Sequence, residues 1–254
     1  MYCTSIFVLL DPASSYHWYT GTLSMLHSLA WFIIACRSDP GTVTAGNVRA
    51  HRALYACDGG VWPEKMCSTC KLMRPARSKH CRVCNRCVAR HDHHCGWINN
   101  CVGLGNHRLF LAFLAATTAM AAYGAALGAR TLLAAADRAG VLRHKVYDIH
   151  SSRVQLVSMP RAYVTRWLLH VYPLGVACTL FMCAATVLML LFTAYQLWNV
   201  AAGKTQYEVY RWRDLYVQLL DEALQRKQQQ EQSAGGGAGK QEGGESKGKG
   251  GGSR

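Results

Sequence analysis

Apolar residues along the chain gather into three runs, each near the length of a bilayer crossing, and the stretches between them differ sharply in character. A hydrocarbon core about 30 Å thick needs roughly 20 apolar helical residues. Residues 18–36 (WYTGTLSMLHSLAWFIIAC), 109–129 (LFLAFLAATTAMAAYGAALGA) and 172–198 meet that requirement, the last being the longest and most apolar. Ala, Thr and Gly recur through the second run, which suits helices that approach each other closely in lipid. The pattern predicts an all-α integral membrane protein built as a helix bundle. Residues 2–10 are apolar for only half a span before Asp11-Pro12, without the charged leader and small-residue cleavage site of a signal peptide. They read as the end of a first membrane helix that is incomplete here.

Beyond residue 198 the chain turns polar, but Val209, Trp212, Tyr216, Leu219, Leu220 and Ala223 recur at helical spacing and predict an amphipathic helix. That helix has two destinations, the headgroup surface or the Cys-rich segment. Residues 233–254 are Gly, Ser, Lys and Glu with little else, too polar to order themselves. The division that follows is 1–36 for the truncated first helix, a short loop and the second span; 37–108 for a Cys-rich domain; 109–198 for two spans joined by a loop over 130–171; 199–232 for the amphipathic segment; and 233–254 for a disordered tail.

The net charge of +14, from 28 Lys+Arg against 14 Asp+Glu, would suggest nucleic acid or an anionic surface, and the apolar runs favour the membrane surface. Twelve basic residues lie in 37–108, nine in 199–254 and seven in 130–166. The first two segments share one side of the membrane, which the charge bias makes the cytosol and leaves 130–171 luminal. The chain has 12 Cys, and seven of them fall in residues 67–101, interleaved with His80, His91, His93, His94 and, just beyond, His107. In a reducing compartment this mixture reads as metal rather than disulfide.

Three C-x-x-C pairs stand there: Cys67/Cys70, Cys81/Cys84 and Cys84/Cys87. Tetrahedral zinc takes four N or S ligands, and such pairs chelate one ion readily. Two zincs would use eight of the twelve Cys and His candidates and leave four over, among which a spare Cys close to a spare His is where chemistry could reside, and spacing alone does not say which Cys is spare. Purely structural zinc modules that bind protein or nucleic acid have the same look. A loop tethered closely to two spans is, however, poorly placed to enter a DNA groove.

At Asp92-His93-His94-Cys95 the segment resembles the cysteine-rich domain of the DHHC protein S-acyltransferases (palmitoyltransferases), with RPARSKHCRVCNRCV before the tetrad and WINNCVGLGN after it. Asp39-Pro40-Gly41 is similar to that family's DPG motif, and Thr205-Gln206-Tyr207-Glu208 to its TTxE motif. The resemblance covers about residues 1–210. It implies a four-span parent architecture with a two-zinc domain between the second and third spans. One zinc would take Cys67, Cys70, His80 and Cys87, and the other Cys81, Cys84, His94 and Cys101. Cys95 would remain as nucleophile, with His93 to take its proton and Asp92 to orient the imidazole.

The implied reaction moves a fatty acyl chain, palmitoyl above all, from acyl-CoA to Cys95 and on to a cysteine of a substrate protein at the cytosolic face. Acyl-CoA is then a co-substrate, membrane lipid and cysteine-bearing proteins are the partners, nucleic acid is not, and an endomembrane location follows. A zinc-stabilised membrane scaffold without catalysis is the alternative. Trp97 matches a family Trp beside the acyl thioester and Asn106 a structural Asn, while the basic residues over 74–90 suit CoA phosphates or a solvated face. His91 and His107 read as bystanders, and Met120 or Tyr123 as candidates for the closed end of an acyl cavity. Two departures stand out: Gly96 replaces the Pro that usually follows the tetrad, and Gln206 replaces the second Thr of TTxE, a position expected to support Asp92.

Overall fold

The structure is a computed structural model that describes residues 15–148 and 153–237. The apolar segment at 2–10 and the tail beyond 237 lie outside the described residues. Among those described, the elements are α1 (Ser15–Arg37), α2 (Val48–Leu54), β1 (Lys79–Cys81), β2 (Arg86–Val88), β3 (His93–Cys95), β4 (Asn100–Val102), α3 (His107–Arg138), β5 (Arg143–Asp148), β6 (Arg153–Ser158), α4 (Arg161–Val171), α5 (Pro173–Ala201) and α6 (Gln206–Gly237). The protein is thus mostly helical. Three of its helices, over Tyr16–Arg37, His107–Arg138 and Pro173–Ala201, are long and apolar enough to cross a membrane.

The helix α3 is the middle member and packs against both α1 and α5. Its small residues make this possible: a Cβ at Gly128 would lie 2.5 Å from Thr179 Oγ1, and one at Gly124 2.6 Å from the Met182 tip. Hydroxyls join the helices as well, through Ser28 to Thr117 at 2.9 Å and Thr118 to Thr193 at 3.3 Å. Near the far end of the bundle the Tyr123 hydroxyl meets Thr20 Oγ1 at 2.6 Å and His17 Nδ1 at 2.9 Å. The large apolar side chains of α5, among them Phe181, Leu188 and Leu191, point outward as a lipid-facing surface requires.

Three readings of the sequence are corrected. The second complete span does not end near Ala129 but continues to Arg138, and the rest of the segment over 130–171 is not a simple loop. It holds the antiparallel hairpin β5–β6, paired from Arg143↔Ser158 to Asp148↔Arg153, and then α4. The break between α4 and α5 falls at Pro173, whose missing N–H cannot continue the helical ladder but suits the first position of a new helix. The amphipathic helix α6 also runs to Gly237, five residues into the stretch read as disordered.

The Cys-rich domain is locked to the start of α3 by backbone contact. Gly41 adopts φ 93, and its carbonyl accepts from the Ala89 amide at 2.9 Å. The Gly105 amide donates to the Pro40 carbonyl at 3.1 Å, so close that a Cβ on Gly105 would lie 2.5 Å from the Asp39 carbonyl and 2.8 Å from the Gly41 amide. Asn100 ties the end of α1 to the same place, donating to the carbonyls of Ala35, Cys36 and Ser38. Because only backbone surrounds Gly105, Gly105→Ala should destabilise the protein by about 1–3 kcal/mol. Gly96, with open space where its Cβ would go, should accept Ala with little change in the thermal midpoint in detergent.

Candidate active site and metal clusters

The Cys-rich segment is one structural unit used three times at an interval of 14 residues. Cys67, Cys81 and Cys95 each open a tight turn that closes at Cys70, Cys84 and Ile98, and the next residues, Lys71, Asn85 and Asn99, all take left-handed backbone at φ 53, 49 and 47. The Cys70 and Cys84 amides each lie 3.4 Å from the first sulfur of their turn. The Trp97 and Ile98 amides hydrogen-bond Cys95 in the same way. A hairpin frames the second and third turns, with His80↔Cys87 and His94↔Cys101 directly opposed, and the bridge Met66↔Met73 takes the equivalent place in the first.

Each metal cluster is assembled from two successive units. Cys67 and Cys70 of the first meet His80 and Cys87 of the second, and Cys81 and Cys84 meet His94 and Cys101 of the third, with the four ligand atoms of each set within 4.8 Å of one another. In the first cluster His80 Nδ1 is 3.5, 3.3 and 3.8 Å from the sulfurs of Cys67, Cys70 and Cys87. In the second, His94 Nδ1 is 3.7, 3.3 and 3.7 Å from those of Cys81, Cys84 and Cys101. Bonds of about 2.3 Å to sulfur and 2.0–2.1 Å to nitrogen place the two atoms about 3.5 Å apart around a tetrahedral ion. Burial, together with the neighbouring thiols of each set, pushes Cys87 and Cys101 up. A divalent cation removes that conflict by letting the sulfurs ionise together, so the donor chemistry and spacing both fit zinc. Each set already supplies four protein ligands, which suits a cross-link with no open position for substrate.

Cys95 stands where Cys67 and Cys81 stand, but Ile98 replaces the second thiol of its turn and no fourth unit follows. It belongs to neither cluster. Instead it faces an apolar cluster made by Ala35, Ile98, Val102, Phe110 and Leu114, bordered by Phe32 and Phe192. His93, two residues earlier on β3, hydrogen-bonds both Cys95 and, through Nδ1 at 2.7 Å, Asp92 Oδ2, which leaves Nε2 for the sulfur. The imidazole also rests edge-on against Phe110 at 5.3 Å.

Asp92, 2% exposed, donates its amide to the Val102 carbonyl and draws further partners from the far end of the chain. The Gln206 amide donates to its Oδ1 at 2.6 Å, and the Tyr207 amide to its carbonyl at 3.1 Å. Burial opposes ionisation of all three groups, yet their mutual hydrogen bonds prevail. Asp92 is held below its ordinary value, His93 is raised to about 9, and Cys95 is lowered by His93 and the turn amides. All three directions place the proton on the imidazole and the negative charge on sulfur.

Support from the chain's far end is itself braced. Thr205 and Glu208 form a reciprocal capping box, the Thr205 amide donating to Glu208 Oε2 at 2.9 Å and the Glu208 amide to Thr205 Oγ1 at 3.2 Å. Arg77 grips the Glu208 carboxylate with Nε and Nη2 and the Gly203 carbonyl with Nη2, and stacks on Tyr55. The T-x-x-E spacing signals the cap in the sequence, whereas nothing there pairs Arg77 with a residue 131 positions away.

Other candidates fall as follows. Asn106 is fully buried and structural, accepting from the Gly103 amide at 3.0 Å and donating to the Cys101 carbonyl at 2.9 Å. Trp97 supplies its amide to Cys95, but its side chain is 89% exposed and does not join the apolar cluster. His91 lies buried edge-on to Tyr207, where burial and then Lys79 lower it to about 4 and keep it neutral. Lys65, Arg74, Lys79 and Arg82 line a cavity of about 950 Å³ whose wall also includes Asp92 and His93.

Residues 62–213 match the family model described as DHHC palmitoyltransferase. The chain belongs to that family. It is 36% identical over 185 residues to palmitoyltransferase ZDHHC4 of Rattus norvegicus, covering 72% of this chain and 53% of the relative. Over 211 residues it is 32% identical to palmitoyltransferase SWF1 of Neurospora crassa, covering 80% of this chain and 48% of the relative. Palmitoyltransferase swf1 of Schizosaccharomyces pombe is likewise 32% identical over 211 residues, with coverages of 82% and 53%. The chain therefore spans about half the length of these curated relatives.

Removing one member of the buried Arg77–Glu208 pair should cost more than removing both. Arg77→Met alone leaves a buried carboxylate and should destabilise by about 3–5 kcal/mol, and Arg77→Met with Glu208→Leu should recover much of that in thermal unfolding. Metal analysis should return two zinc ions per chain, falling to one when Cys67→Ala opens the first cluster.

Proposed function

We infer that the protein is a protein S-acyltransferase whose nucleophile is Cys95. The observation that carries this reading is a thiol left out of two otherwise complete ligand sets, hydrogen-bonded to an imidazole that a buried carboxylate orients, on the edge of an apolar cluster drawn from all three spans.

In the first half-reaction His93 holds the proton of Cys95, and the sulfur attacks the thioester carbonyl of a fatty acyl-CoA. The bond from carbonyl to CoA sulfur breaks, and the departing CoA takes the proton from His93. In the second, the thiol of a substrate cysteine gives its proton to His93 and attacks the acyl-Cys95 thioester, and Cys95 leaves as thiolate and recovers the proton. Asp92 fixes the tautomer and offsets the imidazolium charge throughout. The basic cavity beside Asp92 and His93 suits CoA phosphates, and the apolar cluster suits the first carbons of the chain. Tyr123, 13 residues along α3 from Phe110 and so roughly 20 Å away, suits the far end of a palmitoyl chain. The zinc ions would serve only to hold the domain together, through Cys67, Cys70, His80 and Cys87 and through Cys81, Cys84, His94 and Cys101. The Cys-rich domain and α6 belong on the cytosolic side by the charge bias, in an endomembrane, with cysteine-bearing proteins as acceptors.

Incubation with labelled palmitoyl-CoA should give a hydroxylamine-sensitive adduct that Cys95→Ser abolishes without loss of zinc or of the folded state. A scaffold would give no adduct. The amide of residue 206, rather than its side chain, is assigned the support of Asp92. Gln206→Ala should thus label within about twofold of the parent, whereas Gln206→Pro, which suits the first turn of a helix but has no N–H, should lower labelling by a factor of ten or more. Equal labelling of the two variants would remove the backbone from the mechanism.

A further inference from the structure

A second cationic cavity lies where the first turn of α3 meets the last turn of α5. It encloses about 410 Å³ and is lined by the polar side chains of Arg90, His107 and Arg108 together with Leu104, Gly105, Leu111 and Val200, and by no carboxylate. Arg90 Nε and His107 Nε2 are both enclosed there without a hydrogen-bond partner. No side chain caps the N-terminus of α3, whose first amide, that of His107, donates to the Gly103 carbonyl at 3.0 Å. Arg90 is held at φ 42, a backbone conformation uncommon for a residue with a side chain.

We propose that this cavity binds the phosphate of an anionic glycerophospholipid. His107 opens one candidate span and Val200 lies one residue before the end of another, so the cavity sits at the level where headgroups meet acyl chains. Two guanidinium groups and an imidazole supply the donors a phosphate needs. Leu111, one turn into α3, and Val200 give the cavity an apolar lining beside these donors. A free phosphate would satisfy the donors but leave that apolar lining uncovered. Basic pockets between membrane helices serve as headgroup sites in this manner. The cavity shares no lining residue with the one that borders Asp92 and His93, and occupancy does not depend on the acyl-transfer reading.

The test uses the full chain carrying Cys95→Ser, in neutral detergent, with binding of dioctanoyl phosphatidic acid followed by native mass spectrometry and equilibrium dialysis. One saturable site is expected, with dioctanoyl phosphatidylcholine binding at least tenfold more weakly. Arg108→Gln, at an exposed position, and Arg90→Gln should each weaken phosphatidic acid binding about tenfold, and Lys79→Gln in the other cavity should not. Equal binding of the two lipids, or parental affinity in both arginine variants, overturns the proposal. So does displacement of the lipid by inorganic phosphate or by CoA at matching concentration, either of which would make the site one for a soluble phosphate compound. Because the assay involves no acyl transfer, its failure leaves the assignment of Cys95 intact.

Discussion

A carboxylate as enclosed as Asp92 has to be answered from every side, and that requirement organises the protein around it. Charge that leaves water is tolerated only when paired and hydrogen-bonded. Here the partners come from opposite ends of the fold: the imidazole of His93 from the neighbouring residue and the amide of Gln206 from beyond the last span, where the Tyr207 amide also holds the Asp92 backbone carbonyl. The clamp of Arg77 on Glu208 and Gly203 exists to keep those amides in place. The Cys-rich domain and the segment after α5 are therefore two halves of one electrostatic arrangement.

The three-fold use of a 14-residue unit explains how one thiol is left outside two ligand sets built from the same turn. Amides in the first two turns stabilise thiolates that are suited to a metal, and the third turn offers the same stabilisation to Cys95. What differs is the rest of the ligand set: Ile98 for a second Cys and no further hairpin to bring a His. Metal in both clusters would cross-link the units and hold the third rigid enough for its sulfur to keep a fixed relation to His93, while leaving that sulfur outside both ligand sets.

Much of this was legible in the sequence because metal ligation and membrane crossing impose spacing and length directly on the residues. The three spans, the Cys and His candidates and the tetrad were all visible. The repeat was equally present in the letters, since Cys67, Cys81 and Cys95 stand 14 apart, as do His80 and His94. The choice of Nδ1 as ligand atom was not, because it depends on ring orientation within each hairpin. Gln206 looked like a departure because a motif is written in side chains, whereas the contact to Asp92 is made by the backbone, which any residue but Pro supplies. The hairpin over 143–158 was missed because the alternation of Val154 and Leu156 with polar neighbours lasts for only one strand, and Arg143-His144-Lys145 gives β5 no apolar face.

The length of α3 has a mechanical consequence. At 1.5 Å per residue its 32 residues make a rod of roughly 48 Å, well beyond the hydrocarbon thickness, so it must lean or project from the bilayer. Its first turn is welded through Asn106 to the strand bearing Cys101, and its central side chains carry the packing of both neighbours. Any leaning of that rod in a thicker or thinner bilayer is a lever movement whose short arm ends beside Cys95.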